Sequence, residues 1–152
     1  MSLWEWAYRI LEIEERIREE VKREIEQLGI HERTQTIDIP SVTVDGEYKV
    51  LDVKGWGKLI VLLITSDSKD YELSVLAAGK DVFRRRSWDH FATIALGNPD
   101  IDAQDRTAVE GYYFLRIANV SFEGSLLAVI HTRSPVNFSI FAKYYVYEKV
   151  RL

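Results

Sequence analysis

The residues of this chain that could do chemistry form four groups. In "GNPDIDAQD", residues 97–105, the side chains of Asn98, Asp100, Asp102 and Asp105 offer oxygen donors at nearly alternate positions. A hard cation such as calcium takes a donor set of that kind. The pattern departs from a helix–loop–helix calcium loop at two places. Ala103 stands where such a loop turns on glycine, and Val109 where it carries a bidentate glutamate. The plain alternative is a solvated acidic loop. The second group is "FRRRSWDHF", residues 83–91, where Arg84, Arg85 and Arg86 stand between Phe83 and Trp88. Arginines among aromatics can hold phosphates and stack bases. In a chain of net charge −4 they read better as a solvated or ion-paired segment, or as a contact for an acidic surface such as another copy's Glu-rich helix.

The third group is the histidines, His31, His90 and His131, none of them two or four residues from another. No local metal-ligand pair exists, and no phosphate-binding, dinucleotide-binding, nucleophile-elbow or zinc-protease motif is present. Cysteine is absent, which removes disulfides, zinc–thiolate sites and thiol nucleophiles. The expectation is a protein that is not an enzyme and carries no cofactor, calcium aside. The fourth group is aromatic. Trp56, Trp88, Tyr145 and Tyr147 are candidates for a stacking platform, since tyrosine and tryptophan supply contact area at little entropic cost.

These residues need elements to hold them. From Ser2 to Leu28 the sequence predicts one helix. Ser2 and Glu5 have the spacing of a capping box. Leu3, Ala7, Ile10, Ile17, Val21, Ile25 and Leu28 recur at helical steps, and Trp4, Trp6, Leu11 and Ile13 widen the stripe over its first half. Four Glu-before-Arg pairs (Glu5–Arg9, Glu12–Arg16, Glu14–Arg18 and Glu19–Arg23) stand on the other face at the spacing that supports a helix. Gly29 marks the end. At 1.5 Å per residue such a helix is roughly 40 Å long, more than a domain of this size spans. Its stripe therefore either lies along the chain's own sheet or forms a seam with other chains, with Leu3, Trp4, Ala7, Ile10, Ile17 and Val21 as the contact residues. Glu14 interrupts the heptad of such a seam.

After Gly29 the pattern changes from helical to alternating. "HERTQT" (31–36) is a polar connector, and "VTVDGEYKVLDV" (42–53) places Asp45-Gly46 between alternating residues, a hairpin signal. "GWGKLIVLLIT" (55–65), "DYELSVLAAGKDVF" (70–83), "EGYYFLRIANV" (110–120), "GSLLAVIHT" (124–132) and "NFSIFAKYYVYEKV" (137–150) follow as strands. In the last, Phe138, Ile140, Ala142, Tyr144 and Val146 share the core face. About eight short strands without alternating helices predict a mainly β protein, an antiparallel, jelly-roll-like β-sandwich with one long amphipathic helix at its N-terminus. The division is residues 1–29 for the helix and 30–152 for the sandwich, within one globular unit.

Composition agrees with an ordinary globular chain. It has 152 residues, 47% hydrophobic and 29% charged. Net charge argues against general nucleic-acid binding. The longest apolar run, Leu59–Ile64, is too short to span a bilayer, and no signal peptide is visible. Few Asn and Gln among many Glu, Arg and Lys suit growth at high temperature. The expected location is the cytoplasm or a virion.

The segments "GWGKLIVLLITSDSKDYELSVLAAGKDVF" (55–83) and "IANVSFEGSLLAVIHT" (117–132) together resemble β-sandwich domains of tail, baseplate and other virion structural proteins of tailed phages and archaeal viruses. The shared features are the Gly-led apolar strand from Gly57 to Ile64, the Ser-Asp turn, the alternating strand at Tyr71–Val75 and the Gly79-Lys80 turn. The resemblance covers about a third of the chain. It implies assembly as multimers through sheet faces and helices, and no catalytic residues. The function expected is thus structural, with other copies or other structural proteins as partners. A carbohydrate- or ligand-binding sandwich module is the alternative.

Overall fold

In the computed structural model, which describes residues 2–27, 29–78 and 80–149 (backbone alone at 25, 26, 30, 80, 81 and 149), Ser2 caps the first element as the sequence predicts. Its Oγ accepts the Glu5 N–H at 3.2 Å, and its carbonyl accepts the Trp6 N–H at 3.2 Å. The first satisfies one of the donors that a helix start leaves free, and the second is the first turn's own helical bond. The helix, α1, runs Leu3–Gln27 and is followed by Gly29 at φ +75°, the left-handed conformation in which helices commonly end. Ile25 and Leu28 of the expected stripe lie outside the described side chains. The four expected Glu–Arg pairs do not close as ion pairs, whereas Lys49–Asp52, Lys69–Asp89, Arg85–Glu72 and Arg106–Glu110 do, all beyond the helix. Solvated helical pairs gain a few tenths of a kcal/mol at most, too little to hold two long side chains in one geometry.

The rest is mainly strands: β1 (Ile30–Val44), β2 (Glu47–Ser66), β3 (Tyr71–Ala77), β4 (Lys80–Ser87), then a short helix α2 (Trp88–Ala95), β5 (Ile101–Arg106), β6 (Tyr112–Thr132) and β7 (Val136–Lys149). The protein is thus the mainly β, antiparallel fold with an N-terminal helix that the sequence predicts. The strands form one hydrogen-bonded sheet in the order β1-β7-β2-β6-β3-β4, with β5 pairing β6 beside this path.

Residues 31–36, expected as a connector, belong to β1. Three further features differ from expectation. The Asp45-Gly46 turn is present, with Gly46 at φ +105°, but it does not close a hairpin, because β7 lies between β1 and β2. The turn is held instead by the end of β6: Thr132 donates its N–H to the Gly46 carbonyl at 2.7 Å, and Gly46 N–H returns a bond to Thr132 Oγ1 at 2.9 Å. Second, pairs of expected strands are continuous. Residues 47–53 and 55–65 belong to β2, and residues 112–120 and 124–132 to β6. Third, α2 and β5 occupy stretches without an expected element. The Gly79-Lys80 turn falls on Gly79, outside the described residues, though β3 and β4 pair on either side of it, with Ala77 opposite Lys80.

How two long strands enclose a core is visible in their burial. In β2 the buried hydrophobic residues are Val50, then Leu51, Val53 and Leu59, then Leu62 and Ile64. In β6 they are Leu115, Ile117 and Ala118, then Val120, Phe122, Leu126, Ala128, Val129 and Ile130. β2 changes parity first at the irregularity between Lys49 and Leu51, and both strands change it together where Leu59 faces Val120 and Leu62 faces Ile117. Asn119, at φ +59°, sits there. Strands turn a corner from one layer to another through such irregularities. Before the corner β6 carries β5 along residues 112–117, and beyond it β3 along residues 126–132.

The chain divides into two compact units. One comprises residues up to Glu32 together with the chain from Tyr147 on, the other Arg33–Val146. The division falls within β1, three residues beyond the boundary expected from composition.

Candidate functional site

The side chains of α1 carry the most exposed apolar surface among the described residues. Leu3 is 88% and Trp4 82% exposed, and Trp6, Tyr8, Ile10, Leu11, Ile13, Ile17 and Val21 are exposed with them. Ala7 is exposed too. All six expected contact residues therefore face solvent within their own unit. A soluble surface seldom leaves so many large apolar side chains together without use, and contiguous patches of this kind mark interaction sites.

In the β-rich unit the aromatic candidates separate. Trp88 is no platform: it is 7% exposed, donates its Nε1–H to the Phe114 carbonyl at 3.2 Å, and packs edge-on against Tyr113 at 5.3 Å. The reason is α2, which turns Trp88 and Phe91 toward the core. Trp56 has the opposite environment, at 63% exposed. It stands between Gly55, at φ +125°, and Gly57. A Cβ on Gly57 would overlap the Tyr145 carbonyl oxygen, and one on Gly55 would lie 2.9 Å from Val146 Cγ1. Glycine at both places lets β7 pass close over the core side of β2 while Trp56 points away. Lys54 is exposed on the same face of β2, Glu123 is exposed opposite Trp56 on β6, and β7 presents exposed Lys143 with half-buried Phe141 and Tyr145. Trp56 and Tyr145 thus belong to adjoining strands. Tyr147 is exposed and belongs to the other compact unit.

The arginine run forms a bulge. Leu73 pairs Arg86 and Val75 pairs Phe83, so two residues of β4 stand opposite Ser74, and Arg85 takes φ +45°. The Arg85 N–H donates to Ser74 Oγ at 2.9 Å, and its guanidinium Nε lies 3.6 Å from Glu72 Oε2.

The acidic group is dispersed. Asp100 and Asn98 cap a turn, with Asn98 Oδ1 accepting the Asp100 N–H at 3.0 Å, and Asp100 Oδ1 accepts Asn119 Nδ2–H at 2.8 Å. Asp102 accepts from Gln104 Nε2 at 2.8 Å. Asp105 accepts both the Thr107 hydroxyl, at 2.6 Å, and the Thr107 N–H, at 3.0 Å, which hold its carboxyl below the usual range. Asp102 and Asp105 are on a strand, which alternates its side chains and so cannot wrap them around one ion. Among the described residues no three acidic or histidine side chains converge as metal ligands.

One constellation is not apparent from sequence. Ser74 Oγ lies 3.1 Å from His131 Nε2, and His131 Nδ1 lies 3.3 Å from Glu47 Oε1, at ion-pair distance though poorly aligned for a hydrogen bond. Ser74 Oγ accepts the Arg85 N–H and keeps both its own hydrogen and a second lone pair, so either tautomer of His131 satisfies the contact with Nε2. The order serine–histidine–carboxylate is that of an activated nucleophile. Here Ser74 is buried and its oxygen accepts a backbone N–H. The group ties the β4 bulge to β6. Beside it an open cleft of about 380 Å³ is lined by mixed charges, among them Lys69, Glu72, Asp89, His131 and Arg133, with Lys69 and Asp89 paired at 3.2 Å. Only the cross-strand register, Glu47 opposite His131 opposite Glu72, brings these residues together. No spacing in the sequence announces it.

In comparisons with known proteins, no family model matches this chain and no curated protein matches it. Among the described residues no helix is long and apolar enough to cross a membrane.

Proposed function

We propose that this chain is a non-enzymatic structural protein that joins copies of itself through α1, in the manner of a virion component. The observation that carries the reading is the row of exposed large apolar residues on one 25-residue helix, from Leu3 to Val21. Burying such residues stabilises an interface by about 25 cal/mol for each Å² removed from water, a larger return than any polar group of the chain offers. The resemblance of residues 55–83 and 117–132 to virion sandwich domains supports the setting, and the burial of Ser74 supports the absence of hydrolytic chemistry. A virion or cytoplasmic location belongs to the same proposal.

The test is absolute mass by light scattering after size exclusion, on the full chain and on the full chain with Ile10→Lys and Ile17→Lys. The wild type is expected as a multimer and the double variant as a folded monomer. A wild type that stays monomeric at millimolar concentration would end the reading. A second reading is favoured by one observation, the exposed Trp56 between two glycines on the strand next to that of Tyr145. An exposed indole on a lysine-bearing sheet face suits a sugar ring. Retention on insoluble polysaccharide, lost with Trp56→Ala, would carry that reading forward; no retention would remove it.

A further inference from the structure

The helix has an internal repeat that sharpens what its partner is. Written in sevens from Leu3, α1 reads "LWEWAYR", "ILEIEER" and "IREEVKR". The first position is Leu3, Ile10 and Ile17, the third is always glutamate (Glu5, Glu12, Glu19), and the seventh is always arginine (Arg9, Arg16, Arg23). A seven-residue repeat with apolar first and fourth positions is the pattern of helices that supercoil around one another. In this frame the fourth position holds Trp6, Ile13 and Glu20. Glu14, which interrupts a heptad drawn through Leu3, Ala7 and Ile10, falls beside the seam at the fifth position.

We infer that α1 forms a parallel, three-stranded coiled coil with two further copies of this chain; the inference rests on the self-association proposed above. Charge decides the orientation. In an antiparallel pair the seventh positions of the two helices face each other, which would set Arg9, Arg16 and Arg23 of one against the same arginines of the other. In a parallel arrangement each seventh position faces the fifth position of the neighbour's next repeat, so Arg9 meets Glu14 and Arg16 lays its aliphatic stem along Val21. The seam residues decide the number. Ile10 and Ile13 put a β-branched side chain at both the first and the fourth position of the middle repeat, a combination that shifts preference from two strands to three or four. Glu20 at the fourth position limits the seam to the part of the helix before it, where Leu3, Trp6, Ile10, Ile13 and Ile17 are all exposed in the single chain. The shorter row of Trp4, Tyr8 and Leu11 occupies the second and sixth positions, outside this seam.

The chain has no cysteine, so one introduced thiol reports the arrangement without background. The experiment takes the full chain with Leu3→Cys, measures its mass by light scattering under reducing conditions, then oxidises it and separates it on a non-reducing gel. The expected mass is three times that of the 17.7 kDa chain, with oxidation linking most chains in pairs through Cys at this position. A second full-chain variant, Tyr8→Lys with Leu11→Lys, is expected to keep the threefold mass. A monomer in both variants and in the wild type overturns the self-association itself. A dimer or a tetramer leaves self-association standing and overturns the three-stranded arrangement. A threefold mass without cross-linking overturns the parallel orientation, since in an antiparallel coil Leu3 lies near the far end of its neighbour. Loss of the threefold mass in the Tyr8 and Leu11 variant alone overturns the assignment of the seam.

Discussion

A methyl group at Gly57 has nowhere to go, because the Tyr145 carbonyl oxygen already occupies the space where a Cβ would point. The obstacle is backbone and cannot rotate away, so Gly57→Ala must part β2 from β7 or bend both. The expected loss is about 3 kcal/mol of unfolding free energy, the upper range for overpacking, read from chemical denaturation. Gly97→Ala is the control. Nothing lies within 4 Å of a Cβ there, and the change should be neutral or slightly stabilising by restricting the unfolded chain. Equal losses at the two sites would contradict the close approach of β7. Asp105 offers a residue-scale prediction in pH. The Thr107 hydroxyl and N–H hold its carboxyl below the ordinary value of about 3.9. A carboxyl depressed by folding adds stability that is present above its unfolded pKa and is lost as pH falls through the folded one. Thr107→Val removes the hydroxyl, the larger cause, and should move the Asp105 midpoint in a carboxyl NMR titration upward toward the ordinary value. An unmoved midpoint would show that the Thr107 N–H alone sets it.

At the scale of elements, α2 shows where sequence reasoning stopped short of what the residues contained. Ser87 is a helix cap, its Oγ accepting the His90 N–H at 3.2 Å, and Trp88, Phe91, Ala92 and Ala95 recur at helical steps behind it. The signal is legible but short, an eight-residue helix between an arginine run and the strands around it. Ser87→Ala removes the cap and should cost about 1 kcal/mol. Because α2 carries Phe91 into contact with Phe83 at 5.1 Å and seats Trp88 on Tyr113, the near-ultraviolet signal of Trp88 should weaken as the cap is lost. A Ser87→Ala chain with unchanged stability and spectrum would mean that packing alone holds α2. The alternating strands and the capped N-terminal helix were legible because period and caps are local properties. The order of strands was not. Asp45-Gly46 has the residues of a hairpin, yet β7, some ninety residues later, enters between the two strands it joins. The Ser74–His131–Glu47 group is hidden for the same reason, since its members share no segment and meet only through register. Trp56 could be read as a candidate because its flanking glycines are neighbours in sequence. Trp88 was misjudged because its burial depends on a helix.

At the scale of the whole molecule, two compact units with different sources of stability should respond differently to dilution. Arg33–Val146 holds a core of its own, from Leu59 and Ile64 through Phe91 to Ile140, all at most 1% exposed, and owes its stability to contacts within one chain. The helix has no such core. Isolated helices are marginal in water, and α1 exposes along its length the residues that would stabilise it. If its partner is another copy, its folding is linked to association and its melting temperature must rise with protein concentration. The measurements on the full chain during heating are circular dichroism at 222 nm for the helix and the NMR signals of the buried methyl groups of Ile64, Ile130 and Ile140 for the sheet, at two concentrations a hundredfold apart. The helical transition is expected to move to lower temperature on dilution while the sheet transition stays in place, so that one chain shows two transitions where a single cooperative domain would show one. Helical and sheet signals that melt together, at a temperature indifferent to concentration, would place the stabilisation of α1 within its own chain and remove the assembly reading. A helical signal that shifts with dilution, abolished by Ile10→Lys with Ile17→Lys while the sheet transition is unchanged, would tie association to the seam and leave the β-rich unit as an independent body carried by it.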